Sequence, residues 1–279
     1  MIGFGERARE ALGRFGSLCV GIDPHAALLA QWGLGNDAAG CRELALRAVD
    51  AAGGEVGFVK PQVAFFERHG AEGFAALEET IAAARAAGII VIADAKRGDI
   101  GSTMDAYADA WLSVGSPLEA DAVTASPYLG VGALDGTFGL AARGGKGVFV
   151  LAATSNPEAT IQRTVGASGR TLAADVIAEV CDRNAGGSGW GDIGVVIGAT
   201  VDWAEAGIAP FDPSAPILGP GFGTQGAKAP DLVSLFGPMA GNVIASESRS
   251  ILEAGPSGIA ERIIDAQRAY RHALIGADA

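Results

Sequence analysis

Cysteine and histidine are scarce in this 279-residue chain, three of each. Cys19, Cys41 and Cys181 are odd in number, far apart and in no CxxC pairing, which argues against a disulfide framework or a cysteine zinc site. They read as reduced thiols. His25, His69 and His272 form no cluster, so neither a histidine relay nor a metal centre is expected. The four tryptophans, at 32, 111, 190 and 203, show no spacing that suggests a stacking platform. Basic residues are also in short supply, 20 against 32 acidic ones for a net charge of −12. A surface this acidic argues against nucleic acid or an anionic membrane as partner. An anionic small molecule would need a site that gathers its own positive groups. No apolar run approaches the roughly 18 residues that cross a bilayer. The opening segment MIGFGERARE puts charges where a signal peptide needs apolar residues, so a cytoplasmic location is expected.

Against these absences stands an apolar content of 49%, enough for a sizeable core. Eight short apolar runs recur, each closed by Gly, Pro, Asp or Ser: 17–23, 55–61, 89–96, 121–128, 147–154, 192–200, 215–221 and 242–248. Most are apolar on both faces, the pattern of parallel strands covered by helices. Between them lie helix-like stretches, such as 71–88 and 258–274, with apolar residues three and four apart. The alternation predicts an α/β fold, and eight strands suit a closed (β/α)8 barrel forming a single domain over 1–279. An open doubly wound sheet is the alternative. Residues 4–15 read as an extra N-terminal helix able to plug the barrel, and 276–279 as a frayed tail.

Chemistry in such barrels sits at the C-terminal ends of strands and in the loops that follow. Those ends carry Asp23, Lys60, Asp94, Lys96, Ser126, Asn156, Gln225 and Arg249, whereas most other charges lie on helices. The densest signal is IIVIADAKRGDIGST (89–103). Side chains alternate along a strand, so Asp94 and Lys96 should face the same side, with Lys60 on the neighbouring strand facing them. Gly98 permits a sharp turn that leaves Asp99 at the loop edge, and Ser102 or Thr103 is placed to cap the next helix. Two ammonium groups interleaved with two carboxylates fit either an active site or an ion-pair network that closes the barrel top. After the seventh strand comes GPGFGTQG (219–226), and SRS (248–250) ends the eighth. Barrels commonly bind phosphate there through glycine N–H groups, and the Arg249 guanidinium suits a phosphate bidentately.

DAKRGDIGST resembles the DxKxxD segment of the orotidine 5′-monophosphate decarboxylases. The order GID, FVKP, DAKRGDIGST, SPYLG, TSNP, GPGFGTQG, SRS extends the likeness over about residues 20 to 250. SPYLG and TSNP are similar to the bacterial branch of longer chains. The resemblance implies that Lys60, Asp94, Lys96 and Asp99 form the family's charged array, with Lys96 protonating pyrimidine C6 as CO2 leaves. It implies a homodimer with shared sites, in which Asp99 and Thr103 serve the partner subunit, and no metal or organic cofactor. Gln225 would bridge phosphate and pyrimidine from a phosphate-binding loop that includes Gly221, Gly223 and Gly226, while Arg249 holds the phosphate. The family commonly has Ala where Thr224 stands.

By the same resemblance Ser126 contacts the pyrimidine amide edge, and Asp23 and Lys60 contact the ribose. Each position also has a plainer role open to it. Ser126 could be a turn residue before Pro127, Asp23 a helix cap before Pro24, and Asn156 a turn residue before Pro157. His25 reads as a solvated loop residue. Two rivals remain in view. One is a Mg2+-dependent sugar-phosphate decarboxylase or aldolase on the same barrel; the other is a phosphate-ligand binding protein without catalysis.

Overall fold

The computed structural model describes residues 2–187 and 189–275, so the expected frayed tail at 276–279 lies outside the described residues. Its eight strands are β1 (Leu18–Ile22), β2 (Phe58–Pro61), β3 (Ile90–Arg97), β4 (Ala122–Ala125), β5 (Gly147–Ala153), β6 (Ile193–Ile197), β7 (Ile217–Pro220) and β8 (Val243–Glu247). They pair in parallel in sequence order, and β8 returns to β1, closing the barrel. The open-sheet alternative is thereby excluded. Each strand coincides with one of the eight apolar runs, because a strand covered on both faces leaves no room for alternation with polar residues.

Two apolar clusters hold the molecule together. The larger fills the layer between the barrel and its helices and includes Leu44, Leu77, Trp111, Ile177 and Ile263. The smaller is the barrel interior, where Cys19, Phe58, Ile92, Phe149, Leu218 and Ile244 meet. The expected plug, α1 (Phe4–Phe15), closes this interior from below. Phe4, Ala8 and Leu12 recur every four residues, so they share one stripe, and all three join the interior cluster. The Phe4 ring sits edge-on to Phe149, with centroids 5.7 Å apart. Gly147 makes room for it, since a Cβ at that position would run into the Phe4 ring. Asp192 accepts the Gly5 N–H at 2.8 Å and so anchors the start of the helix to the barrel.

The connection 198–216 between β6 and β7 departs from the regular alternation, for it contains turns and no α-helix. Pro210, Pro213 and Pro216 fall within seven residues, and each lacks the N–H that a helix interior needs.

Candidate active site

A cavity of about 260 Å3 opens at the C-terminal end of the barrel. Its polar lining includes Asp23, Lys60, Asp94, Lys96, Gln225 and Arg249, six of the sequence-derived candidates. Leu151, Val196, Leu218 and Phe222 supply apolar walls.

Asp94 is the centre of the site. Its Oδ2 accepts from Lys60 Nζ at 2.9 Å and from Gln62 Nε2 at 2.8 Å. Its Oδ1 accepts from Lys96 Nζ at 2.6 Å and from the Thr124 hydroxyl at 2.9 Å. Two ammonium groups and two neutral donors thus saturate one buried carboxylate, which satisfies the demand that a buried charge be paired and fully hydrogen-bonded. Burial alone would raise the Asp94 pKa, but Lys60 and Lys96 outweigh it and hold the carboxyl well below its ordinary value. Burial likewise pulls the Lys60 ammonium down, and the facing Asp94 and Asp23 carboxylates more than reverse that, holding it above its usual value. Both groups are charged at neutral pH.

Lys96 differs from Lys60 in backbone and in exposure. Its side chain is 47% exposed against 6% for Lys60, so its ammonium is presented to the opening. The register between β3 and β4 shifts between Ala93 and Arg97, and inside that shift Lys96 has φ 47°. It is the one non-glycine residue with positive φ among the described residues. A side chain in this left-handed region costs about 1–3 kcal/mol and persists only where the surroundings enforce it. Thr124 supplies that enforcement. Its Oγ1 accepts the Lys96 N–H at 2.9 Å while its hydroxyl proton goes to Asp94, so one group fixes both residues. Asp94 and Lys96 do meet as simple alternation predicts, but through a bulge. Gln62 and Thr124 were not among the sequence-derived candidates.

The far end of the cavity is lined by Thr224, Gln225, Ser248 and Arg249. No carboxylate pairs with the Arg249 guanidinium among the described residues, which leaves a charge free for a ligand. Gly221, Gly223 and Gly226 all have positive φ, at 114°, 73° and 121°, a backbone that glycine adopts without strain. Their expected role as N–H donors is narrower than the sequence suggests. The Gly223 N–H donates to Ala227 O and the Gly226 N–H to Gly223 O, so both are spent on shaping the loop.

Asp23 lines the cavity with its Oδ1 buried and without a partner, and the following helix is capped by His25 instead. That removes the capping explanation for Asp23. It also makes His25 a half-buried cap, where a solvated loop residue was expected. Asn156 behaves as a turn residue, accepting from Thr154 Oγ1 and donating to Glu158. Ser126 is not among the residues lining the central cavity, which shares Leu151 with its neighbour. Ser126 lines that neighbour with Tyr128, Ile161 and Leu172, its N–H donates to Arg97 O, and Thr154 stands in the main cavity instead.

Asp99 and Thr103 also lie outside the cavity. Asp99 accepts the Ile100 N–H, and Thr103 is exposed in the first turn of the helix Gly101–Leu112. Neither Ser102 nor Thr103 caps that helix; its N-cap is Ile100, with no side-chain bond. Among the described residues no group of three or more His, Cys, Asp or Glu could hold a metal ion.

The described chain is similar to known proteins along nearly its whole length. A relative from Salinispora tropica, an orotidine 5′-phosphate decarboxylase, is 51% identical over 263 residues, covering 94% of each chain. One of the same name from Streptomyces coelicolor is 47% identical and covers 93% of each. A solved structure from Streptomyces avermitilis, a candidate orotidine 5′-phosphate decarboxylase, superposes with a TM-score of 0.94 at 46% identity, over 99% of this chain and 97% of that one. The orotidine monophosphate decarboxylase of Leishmania donovani superposes at 0.75 with 32% identity, over 97% and 100%. The family model described as orotidine 5′-phosphate decarboxylase / HUMPS matches residues 16–263, and with it the charged cavity acquires a lineage: the chain belongs to that family.

Proposed function

We propose that the chain is a one-domain decarboxylase converting orotidine 5′-monophosphate to UMP and CO2. The observation that carries the reading is the Lys60–Asp94–Lys96 array, which faces a cavity that also presents Arg249, unpaired among the described residues. The C6–carboxylate bond breaks, its electron pair stays on C6, and Lys96 delivers a proton there; solvent then reprotonates the amine. A vinyl carbanion at C6 has no conjugated sink, so a fixed ammonium beside it supplies both electrostatic stabilisation and the acid. Asp94 lies where the substrate carboxylate would arrive. Like charges about 4 Å apart repel by roughly 4 kcal/mol at an effective dielectric near 20, and loss of CO2 relieves that repulsion. Asp23 and Lys60 are assigned to the ribose, Gln225 and Arg249 to the phosphate. Thr154 is a better candidate than Ser126 for the pyrimidine edge, because it lines the same cavity as Lys96.

Support for a homodimer with shared sites comes from the surface beside Asp99 and Thr103. Of the nine exposed large apolar side chains among the described residues, eight fall on the connections that follow β3, β4 and β5: Ile100, Tyr107, Val114, Tyr128, Leu129, Ile161, Val165 and Leu172. An apolar face of this kind suits a self-complementary interface with a second copy. Asp99 and Thr103, unused in their own cavity, would then complete the partner's. No described helix is long and apolar enough to cross a membrane, and three free thiols suit a reducing cytoplasm.

The direct test follows the fall in absorbance as orotidine monophosphate becomes UMP; no turnover would end the proposal. Activity lost on dialysis against a chelator and restored by Mg2+ would move the assignment to the sugar-phosphate enzymes of the same barrel.

A further inference from the structure

Glu247, at the end of β8, is a buried carboxylate that the proposed chemistry does not use. Ser246 and Ser248 line the cavity, whereas Glu247 between them points the other way, towards the helix Gly255–Ile275. There its Oε1 accepts from the Tyr270 hydroxyl at 2.6 Å and its Oε2 from the Ser250 hydroxyl at 2.6 Å. No lysine, arginine or histidine pairs with it among the described residues. Burying a carboxylate with only neutral donors is unfavourable, and short O–H···O− bonds recover part of that cost. Burial and the adjoining negative charge push the Tyr270 phenol far above its ordinary value, so it remains a donor at any working pH.

The network supports the loop 221–226 from below. Gly223 passes so close to Ser250 that a Cβ there would collide with the Ser250 hydroxyl and crowd Glu247 Oε2. Phe222 packs edge-on against the Tyr270 ring, with centroids 5.7 Å apart. Tyr270 therefore reaches the loop twice, through its ring and through the Glu247–Ser250 hydrogen bonds. Ser250 also adjoins Arg249, so the same network ties together the two segments that end the cavity.

We infer that Tyr270, Glu247 and Ser250 are positioning residues that seat the loop carrying Gln225 against Arg249. The inference rests on the reading of that end of the cavity as a phosphate grip. It requires that damage to the network weaken what depends on the phosphate and spare what does not.

Tyr270→Phe keeps the ring against Phe222 and removes only the hydroxyl, and Ser250→Ala is the corresponding lesion nearer the loop. In each, the KM for orotidine monophosphate and the inhibition constant of UMP should rise about tenfold, while kcat changes less than about threefold. The inhibition constant of uridine, which lacks the phosphate, should stay within about twofold of wild type. Glu247→Gln should fall in the same direction. Wild-type constants for UMP in both Tyr270→Phe and Ser250→Ala would overturn the inference. So would equal weakening of UMP and uridine, which marks general support of the fold. If the wild-type protein itself binds UMP no more tightly than uridine, the phosphate reading fails first.

Discussion

The barrel carries a buried lysine–carboxylate cluster at each end, and the two are chemically alike. At the top, Lys60 and Lys96 hold Asp94. At the bottom, Lys146 and Arg85 hold Glu119 at 2.7 and 2.6 Å, and Arg7 of α1 holds Asp121 at 2.9 Å. The lower carboxylates also accept main-chain N–H groups, Gly115 on Glu119 and Val91 on Asp121, so they hold strands and connections in place. Asp94 accepts side chains alone, from residues lining an open cavity, and one of those residues has a strained backbone. A charge cluster by itself therefore does not mark a site. The lower cluster lines a surface depression of its own, so what sets the upper one apart is its side-chain-only coordination and its local strain.

Mutation should separate the two ends. Lys96→Ala is expected to lower turnover by about 10²–10⁴-fold, the range for a lost general acid, while the protein stays folded. Retention of more than about a tenth of the wild-type rate would assign the proton elsewhere. At the other end, Lys146→Ala leaves the buried Glu119 with exposed Arg85 as its one charged partner among the described residues, beside the Gly115 N–H, and should cost about 1–3 kcal/mol of stability in denaturant titrations. Its kcat well below the melting temperature should be that of wild type; a large loss of kcat in folded protein would dissolve the contrast.

Arg249→Ala removes a charge-assisted bond and should reduce kcat/KM for orotidine monophosphate by about 1.5–3 kcal/mol. Orotidine, without the phosphate, should be nearly unaffected, and equal losses on both substrates would make Arg249 a structural residue. Thr124→Val removes the hydroxyl that clamps Lys96 to Asp94 and should cost about tenfold in kcat, ~1.4 kcal/mol, with little change in KM. Thr124→Ser should restore the rate; if it does not, the clamp is not the reason. Finally, Lys96→Ala and Asp99→Ala proteins mixed after complete subunit exchange should regain roughly a quarter of wild-type activity, since half the dimers then hold one intact site. A mixture that stays inactive, with exchange verified by native mass measurement, would return Asp99 to its own chain.

Local chemistry explains which parts were legible in sequence. The strands were, because parallel strands buried on both faces are written as unbroken apolar runs. Asp23, Lys60, Asp94, Lys96, Gln225 and Arg249 were, because a barrel sends the residues at its strand ends into one cavity. Gln62 follows Pro61 and carries no charge to mark it, yet it lies two residues beyond Lys60 and so on the same face. Thr124 resembles any β-branched strand residue, but Ala122 is in the barrel interior, and alternation carries Thr124 to the same side. Ser126 follows the end of β4 at Ala125 and lines the neighbouring cavity. The left-handed backbone of Lys96 had no sequence signal, since no glycine or asparagine announces it.

The plug under the barrel has a consequence in time. α1 precedes every strand, so it leaves the ribosome before any of the surface it will cover exists. Phe4 must wait for Phe149, and Gly5 for Asp192, 187 residues later in the chain. The apolar stripe of α1 meets β1 to β5 first, through residues such as Cys19, Phe58 and Phe149, and only β6 completes the floor, the contact most distant in the chain. Complete burial of α1 thus requires a completed barrel floor. A fluorescent probe on α1 should reach its native protection no earlier than one on β6.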